Sequence, residues 1–217
     1  MKISKETINV LKNYASINSN LLLSPGNRLK TTSNTKTIAS SVTVAEDFPV
    51  EFGIYDLNSF LGALSLFNDP ELEFTDKYVT LKEQNNTIKY YAAESSILTT
   101  PKKEVVFPAA DIHFDLSESL FSTIQRTSGV LKASDFSIIG NGTDLILTVG
   151  DKKNATSSSY ETVVGTSDKT FRANIKIENL KMLFANYRVS IHPKIARFES
   201  TVGDLVYYVS VEADSSF

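Results

Sequence analysis

Hydrophobic and polar residues alternate along most of this chain in short runs, which is the pattern of β-strands with one buried face. About fourteen such runs occur, separated by turn sequences such as Ser24-Pro25-Gly26-Asn27 and Gly140-Asn141-Gly142. Runs so short and so numerous favour antiparallel meanders over parallel βαβ units. We predict strands at residues 20–23, 27–32, 37–45, 50–55, 71–74, 78–81, 87–91, 136–139, 143–149, 159–164, 171–177, 187–192, 195–199 and 205–211.

Four segments show instead the three-and-four spacing of amphipathic helices: residues 4–15, 56–67, 115–127 and 178–186. Ser4 and Asp56 stand where N-caps belong, and Asp115 with Glu118 has the spacing of a capping box. The fourth segment is the shortest, and its apolar face consists of Leu180, Leu183 and Phe184. Short helices among many strands predict an α+β fold class built on antiparallel sheets.

The order of these elements repeats within the chain. Residues 1–91 and residues 111–212 each run helix, strands, helix and three strands, and the halves close on the similar sequences IKYYAAES and VYYVSVEADS. The segment between them contains two prolines and two adjacent lysines, which is typical of an extended connector. We therefore predict two similar domains, residues 1–94 and 109–217, joined by a connector at 95–108.

The composition permits a sizeable core and excludes several classes of protein. Of 217 residues, 41% are hydrophobic and 22% are charged, so the chain is not compositionally disordered. The absence of cysteine excludes disulfides and thiolate metal sites, and two histidines leave little material for a histidine metal site. The net charge of −3 excludes a uniformly basic nucleic-acid binder but not a locally basic surface. Glu6 and Lys12 interrupt any signal sequence, and no apolar run could span a membrane, so we expect an intracellular protein.

No recognised catalytic or cofactor-binding motif is present. Gly140-Asn141-Gly142 lies between two apolar runs and predicts a hairpin turn rather than a phosphate-binding loop. We expect His113 and His192 to be strand side chains at a sheet surface, and acidic pairs such as Glu46-Asp47 to be solvated. The sequence therefore predicts no catalytic residue, no metal and no cofactor, and it disfavours an enzyme.

Cations stand on the outer faces of the predicted helices. If the helices lie side by side, these cations would converge on nucleic-acid phosphates; the alternative is that they are ordinary solvated helix faces. No aromatic residue is interleaved with them and no basic recognition helix is present, so neither single-strand stacking nor base reading is indicated. The second helix offers a small, neutral face. The candidate cations are Lys5 and Lys12 on the first helix, Arg126 on the third and Lys181 on the fourth, with Lys2, Lys132, Lys176 and Arg188 flanking them.

Several stretches of the chain are similar to one known family. They are MKISKET at 1–7, LKNYASINS at 11–19, IYDLNSFLG at 54–62, Phe107-Pro108, and YVSVEADS at 208–215. In this order, and along essentially its whole length, the sequence resembles the DNA polymerase sliding clamps of T4-type bacteriophages.

The resemblance implies a ring-shaped homotrimer with the DNA clamp fold, in which each subunit has two similar domains with two short helices each. Helices would line the ring and sheets would surround it. The resemblance further implies a processivity factor that encircles duplex DNA without sequence preference and tethers the replicative DNA polymerase. An ATP-dependent clamp loader would be a second partner, and the cytoplasm of an infected bacterial host would be the location. Whether transcription factors are also partners stays open.

The resemblance also implies an apolar socket on the outside of the ring for a short peptide of the polymerase. The end of the connector is apolar, and no predicted helix or strand buries it locally. An extended connector can in addition pair its backbone with an incoming peptide. The alternative is that Phe107 packs into its own domain and the last strand is ordinary sheet. The candidate socket residues are Val105, Val106, Phe107, Pro108, Val206, Tyr208 and Val211.

Two other functions compete with a sliding clamp. A phage structural protein, such as a tail or baseplate oligomer, would explain the hydroxyl-rich strands and the missing active site, but it would not require cations on the helices. An esterase or nuclease with an unrecognised site would need a histidine beside a carboxylate, and no convincing pair of that kind is present.

Overall fold

Two units, Met1–Glu104 and Val105–Phe217, divide the chain in the computed structural model, which describes residues 1–154 and 156–217. The division falls within residues 95–108, the segment predicted as a connector. Strands are the most frequent regular element in both units, and every strand pair described is antiparallel. The predicted hairpin is present: Gly142 has a φ of +88°, and the Asn141 side chain accepts a hydrogen bond from the Asp144 amide at 2.7 Å.

The first unit contains two helices and seven strands. In chain order they are α1 (Lys5–Ile17), β1 (Leu21–Leu23), β2 (Gly26–Thr32), β3 (Ile38–Phe48), β4 (Phe52–Ile54), α2 (Leu57–Ser65), β5 (Glu71–Phe74), β6 (Tyr78–Glu83) and β7 (Asn86–Tyr91). β1 pairs with β4, β2 pairs with β3, and β5, β6 and β7 form a sheet in that order. Leu11 and Tyr14 of α1 are buried in the core, where the rings of Phe52 and Phe74 meet edge-on at 5.3 Å.

The described part of the second unit contains one α-helix and eight strands. They are β8 (Ile112–Leu116), α3 (Glu118–Leu131), β9 (Asp135–Asn141), β10 (Asp144–Gly150), β11 (Tyr160–Thr166), β12 (Thr170–Lys176), β13 (Tyr187–His192), β14 (Ile195–Ser200) and β15 (Val206–Ser210). One sheet has the order β11-β10-β9-β12, and β8, β13, β14 and β15 are neighbours in the other. The fully buried ring of Tyr187 centres the core, with Phe121, Phe198 and Tyr207 at centroid distances of 6.1–6.3 Å.

Each predicted strand is confirmed, and the structure adds the bounds of β8, on which His113 is the strand side chain that the sequence predicted. The predicted caps are confirmed for two helices: the Ser4 side chain accepts from the Thr7 amide, and the Asp56 side chain accepts from the Asn58 and Ser59 amides. The predicted cap of the third helix is wrong. Ser117 caps α3 by accepting from the Leu120 amide, because Asp115 is still part of β8.

The fourth predicted helix is also wrong, because its segment forms only a 3-10 turn at Ile177–Asn179. Side chains of other elements satisfy the backbone groups that a helix would have paired internally. The Gln125 amide donates to the Leu180 carbonyl at 2.8 Å, and the hydroxyls of Tyr187 and Tyr207 bind the carbonyl and amide of Leu183. The structure therefore has three α-helices in its described residues instead of the four expected.

An ion cluster joins Lys152, just after β10, to β9 and to the last residues of the chain. The Lys152 ammonium lies 3.3 Å from an Asp135 carboxylate oxygen and 2.9 Å from one of Asp214, and only 11% of its side chain is exposed. Burial alone would lower the pKa of Lys152, but its hydrogen bonds to Asp214 and Asp135 raise that pKa above its ordinary value. Lys152 therefore stays charged, and its ion pairs with Asp135 and Asp214 stabilise the second unit.

We expect the substitution Lys152→Ala to lower the free energy of unfolding by about 3 kcal/mol, because it leaves the Asp135 carboxylate buried without its cation. The matched control is Lys153→Ala, which removes the charge of an exposed neighbour and should change stability by less than about 0.5 kcal/mol. Denaturant unfolding measures both variants. Equal unfolding midpoints for the two would contradict a structural role for Lys152.

Candidate nucleic-acid interface

The α1 helix presents a polar face that carries two lysines. Its opposite face is buried through Leu11 and Tyr14, so the orientation of the helix is fixed by packing. Neither lysine forms an ion pair with any other described residue, and both charges remain available to a ligand. The exposed residues of this face are the ones that the spacing predicted: Lys5, Asn9, Lys12 and Ser16.

A buried carboxylate holds the first turn of α1, and this corrects the expectation that Glu46 is solvated. Glu46 lies on β3 and is only 8% exposed. One of its oxygens accepts from the Ser4 amide at 2.5 Å, and the other accepts from the Thr7 hydroxyl. Burial alone would raise the pKa of Glu46, but these hydrogen bonds hold that pKa below its ordinary value. The start of α1 is therefore anchored to β3.

Lys2 differs from the lysines of α1 because its charge is already matched. Its ammonium is hydrogen-bonded to the Asp69 carboxylate, and that bond raises the pKa of Lys2. Both side chains are more than half exposed, so the pair is a surface ion pair of small energetic value. Lys2 is exposed as the sequence predicted, but an anionic ligand would have to compete with Asp69.

The α2 helix shows the small, neutral outer face that the sequence predicted. The buried side of this helix consists of Leu57, Phe60 and Leu64. Uncharged residues of small or moderate size would let a polyanion approach without either attraction or repulsion. The exposed residues are Asn58, Ser59, Gly62 and Ser65.

In the second unit, the predicted cations lie on and around α3. Arg126 is exposed on the helix, and Lys132 ends it in the left-handed region with a φ of +52°. Lys176 is exposed at the end of β12, and Lys181 is exposed on the irregular segment that replaces the fourth predicted helix. The structure thus leaves all four side chains accessible.

Arg188 lies on a strand instead of beside a helix. It belongs to β13 and lines a cavity of about 900 Å³ together with residues of β8, β11 and β14. Its Nε is 3.8 Å from an Asp115 oxygen, and Glu199 is its neighbour across the strand pair. Two carboxylates therefore flank Arg188, and its surroundings resemble those of Lys2 more than those of Lys5.

The end of the predicted connector folds onto the outer side of β14 and β15. The Phe107 ring lies 6.3 Å from the Tyr208 ring, and the Arg197 guanidinium is 5.0 Å from the Phe107 centroid, a cation–π distance. Phe107 thus packs against its own unit, as the alternative to a free socket residue expected. Val106, by contrast, is 88% exposed.

Two of the predicted socket residues are not accessible in this structure. Val206 and Val211 are each only 9% exposed, because their side chains pack within the second unit. Val105 and Val106 are exposed, while Phe107, Pro108 and Tyr208 are half-buried. The accessible apolar surface is therefore narrower than the predicted one. Arg197 belongs to it as well, although its position in an alternating strand gave no sign of this.

The two histidines have structural contacts. His113 lies on β8, as a strand side chain, with its Nδ1 2.9 Å from the Ser190 hydroxyl and its Nε2 2.8 Å from the Ala110 carbonyl. His192 ends β13 and accepts from the Lys194 amide. Within residues 1–154 and 156–217, no group of His, Asp and Glu side chains is arranged to hold a metal ion. In the same residues, no helix combines the length and the apolar character needed to cross a membrane.

Family models and curated relatives agree on one class of protein. Residues 4–100 match the family described as DNA polymerase processivity factor, and residues 113–213 match the one described as gp45 sliding clamp, C terminal. The sliding clamp of Vibrio phage KVP40 is 32% identical over 222 residues, which cover 98% of this chain and 100% of the relative. The sliding clamp of Enterobacteria phage T4 is 30% identical over 227 residues, which cover 100% of this chain and 99% of the relative.

A solved structure shows the same fold at much lower identity. The PCNA of A. fulgidus, determined with the C-terminal region of FEN-1 bound, superposes with a TM-score of 0.70 at 10% identity, covering 99% of each chain. These comparisons give no support to the alternative of a tail or baseplate protein. The fold and the phage relatives lead to the same result: this chain belongs to the sliding clamps, the processivity factors of DNA polymerases, as its resemblance to those of T4-type phages indicated.

Proposed function

We propose that this chain assembles as a homotrimeric ring that encircles duplex DNA and tethers a replicative DNA polymerase, with no catalytic activity of its own. An ATP-dependent loader would open the ring, and the work would take place in the cytoplasm of an infected bacterium. The observation that carries the proposal concerns two strands, one in each unit. In a single chain each of them has an unpaired edge and no buried side chain.

These two strands are β7 and β11. They are the only described strands without a single buried residue, and each lies at the end of its sheet. Both also carry large apolar side chains in the open, with Tyr91 68% exposed on β7 and Val163 58% exposed on β11. An open strand edge with exposed apolar residues pairs readily with another chain. We infer that β7 of one subunit pairs with β11 of the next.

The other end strands of the same two sheets are β5 and β12, and residues near the two chain termini already hydrogen-bond to them. On β5, the Leu72 amide donates to the Met1 carbonyl at 2.7 Å. On β12, the Arg172 amide donates to the Ser216 carbonyl at 2.8 Å, and the ring of Phe217 stacks on Phe171. Only one edge of each sheet is thus left for a partner. Because the two open edges belong to different units, the contact is head-to-tail, and repetition of such a contact gives a closed ring when the rotation between neighbours returns to the first subunit. The sliding-clamp relatives favour the closed form.

The exposed cations of α1 and α3 support the proposal that DNA passes through the ring. Lys5, Lys12 and Arg126 are exposed and have no ion-pair partner among the described residues, and Lys132, Lys176 and Lys181 are accessible around α3. Contacts from such side chains to phosphates carry no sequence information, which suits a protein that slides. We leave Lys2 and Arg188 outside this set because Asp69 and Asp115 lie against them.

The surface around Phe107 supports the tethering role. Val106 is exposed beside Phe107, Tyr208 and Arg197, so an apolar peptide would find both aromatic rings and a cation there. The A. fulgidus PCNA of the same fold was determined with the C-terminal region of FEN-1 bound. We propose that a short peptide of the polymerase occupies this surface.

We expect Val163→Asp to break the ring, because it places a charge on the proposed contact surface of β11. The mass in solution should fall from three times the 24.0 kDa subunit to one subunit, while far-UV circular dichroism stays that of a folded chain. Val106→Asp is the matched control, since it makes the same change at another exposed valine. A trimer that survives Val163→Asp would contradict the assignment of β11.

The double substitution Lys5→Ala and Lys12→Ala should weaken DNA binding equally on duplexes of different sequence. A short linear duplex, whose open ends let a ring thread on, allows this to be measured by fluorescence anisotropy without a loader. The slope of log K against log salt should fall by about two, because two phosphates are no longer neutralised. Lys102→Ala with Lys103→Ala, two exposed lysines outside the helices, is the control and should leave the slope unchanged. A changed sequence preference, or an unchanged slope, would refute the assignment.

Val106→Asp should weaken binding of a C-terminal peptide of the phage polymerase about tenfold or more, because it puts a charge on an apolar contact. Tyr208→Ala should also weaken peptide binding, because it removes the aromatic side chain that lies beside Phe107. Calorimetric titration of the trimer with the peptide measures both effects. If both variants bind the peptide as tightly as the parent chain, the socket lies elsewhere.

A further inference from the structure

The carboxylate of Glu46 is unusual among the acidic side chains because it is buried without a cation. The residue is 8% exposed, and no ion pair connects it to a Lys or Arg among the described residues. Its partners are instead the Ser4 amide, at 2.5 Å, and the hydroxyl of Thr7. These donors belong to the cap and the first turn of α1, which stand 42 and 39 positions earlier in the chain.

This arrangement suits a carboxylate that fixes a helix rather than one that neutralises a lysine. The start of an α-helix has unpaired amide groups and a partial positive charge, and both favour an anion at that position. The Ser4 hydroxyl already accepts from the Thr7 amide, so Glu46 adds a second set of bonds to the same turn. Because the bonds come from an amide and a hydroxyl, the charge of the neighbouring Lys5 is not consumed.

Lys5 is the residue directly after Ser4, and it lies within the turn that Glu46 holds. A surface lysine on a fraying first turn would contact a phosphate only part of the time, whereas a fixed turn keeps its Cα in place. We propose that Glu46 is a positioning residue for DNA binding, which holds the first turn of α1 so that Lys5 meets the phosphate backbone. This inference rests on the proposed function, because it requires duplex DNA beside α1.

The substitution Glu46→Gln tests the role with almost no change in shape. The neutral amide can still accept from the Ser4 amide through its oxygen and donate to the Thr7 hydroxyl through its NH2 group, but both bonds lose the ionised carboxylate and become about half as strong. Removing a negative charge would by itself strengthen DNA binding, so a weakening cannot come from charge. Asp47→Asn is the matched control, because it removes the same charge from the adjacent, exposed residue of β3.

With the short linear duplex, Glu46→Gln should weaken binding up to about eightfold at about 0.1 M salt and lower the salt slope by up to one, as expected when one phosphate is no longer neutralised. Lys5→Ala should do the same, and the double variant should lose no more than Lys5→Ala alone. Asp47→Asn should leave the slope unchanged. Equal salt slopes for Glu46→Gln and the parent, or additive losses in the double variant, would overturn the inference.

A loss of stability alone would lower the unfolding temperature without changing the salt slope, so the two readouts separate positioning from general structure. Should Glu46→Gln fail to fold, Thr7→Val decides the question, because it removes one donor and keeps both the charge and the side-chain volume. It should reduce the salt slope in the same direction, and an unchanged slope would overturn the inference. Failure of the parent trimer to bind DNA at all would instead refute the proposed function.

Discussion

The unpaired edges of β7 and β11 determine how copies of this chain can assemble. A sheet edge exposes a row of unpaired amide and carbonyl groups, and proteins usually cover, charge or shorten it. This chain covers two such edges with its own residues, through Met1 on β5 and Ser216 on β12. It leaves the other two open, and they are also the strands with no buried side chain. A single copy therefore has one open strand edge in each unit, and a closed head-to-tail ring would pair every such edge.

The ion pairs of the chain divide its cations into two groups with different tasks. Lys152 is nearly buried between Asp135 and Asp214 and stabilises the second unit. Lys5, Lys12 and Arg126 have no such partner in the described residues and stand on helix faces whose opposite sides are packed. A net charge of −3 does not exclude polyanion binding by this local set of cations, although Glu6 and Glu118 also lie in the first turns of α1 and α3.

Much of the fold could be predicted from the sequence because it depends on local rules. Strand alternation located the strands, and the side chains of Ser4 and Asp56 located two helix starts through their caps. The fourth predicted helix was wrong largely for a reason that is not local: Gln125 of α3 donates to the Leu180 carbonyl, and the Tyr207 hydroxyl of β15 binds the Leu183 amide, so these backbone groups are satisfied without a helix. Glu46 differs, because the alternation of β3 already places it on the buried face with Val44 and Phe48. Only its partners, the Ser4 amide and the Thr7 hydroxyl, come close through the fold.

The candidate site shows a similar division. Helical spacing was sufficient to place Lys5, Lys12 and Arg126 on exposed faces. An amphipathic helix buries its apolar face, so the charged residues on the opposite face point to solvent. It was insufficient for Lys2 and Arg188, whose partners Asp69 and Asp115 come close only in the fold. The packing of Phe107 on Tyr208 and Arg197 likewise depends on how the segment before β8 returns to the sheet, which no residue pattern specifies.

Topological retention on circular DNA distinguishes a ring that encloses the duplex from a protein held on it by charge alone. The protein would be mixed with linear duplex at low salt, the DNA would be ligated into circles, and the salt would then be raised to remove protein held only by charge. A ring that encloses the duplex stays with the circular DNA after this step and leaves when the circle is cut once. Equal loss of the protein from circular and linear DNA at the higher salt would contradict an encircling clamp.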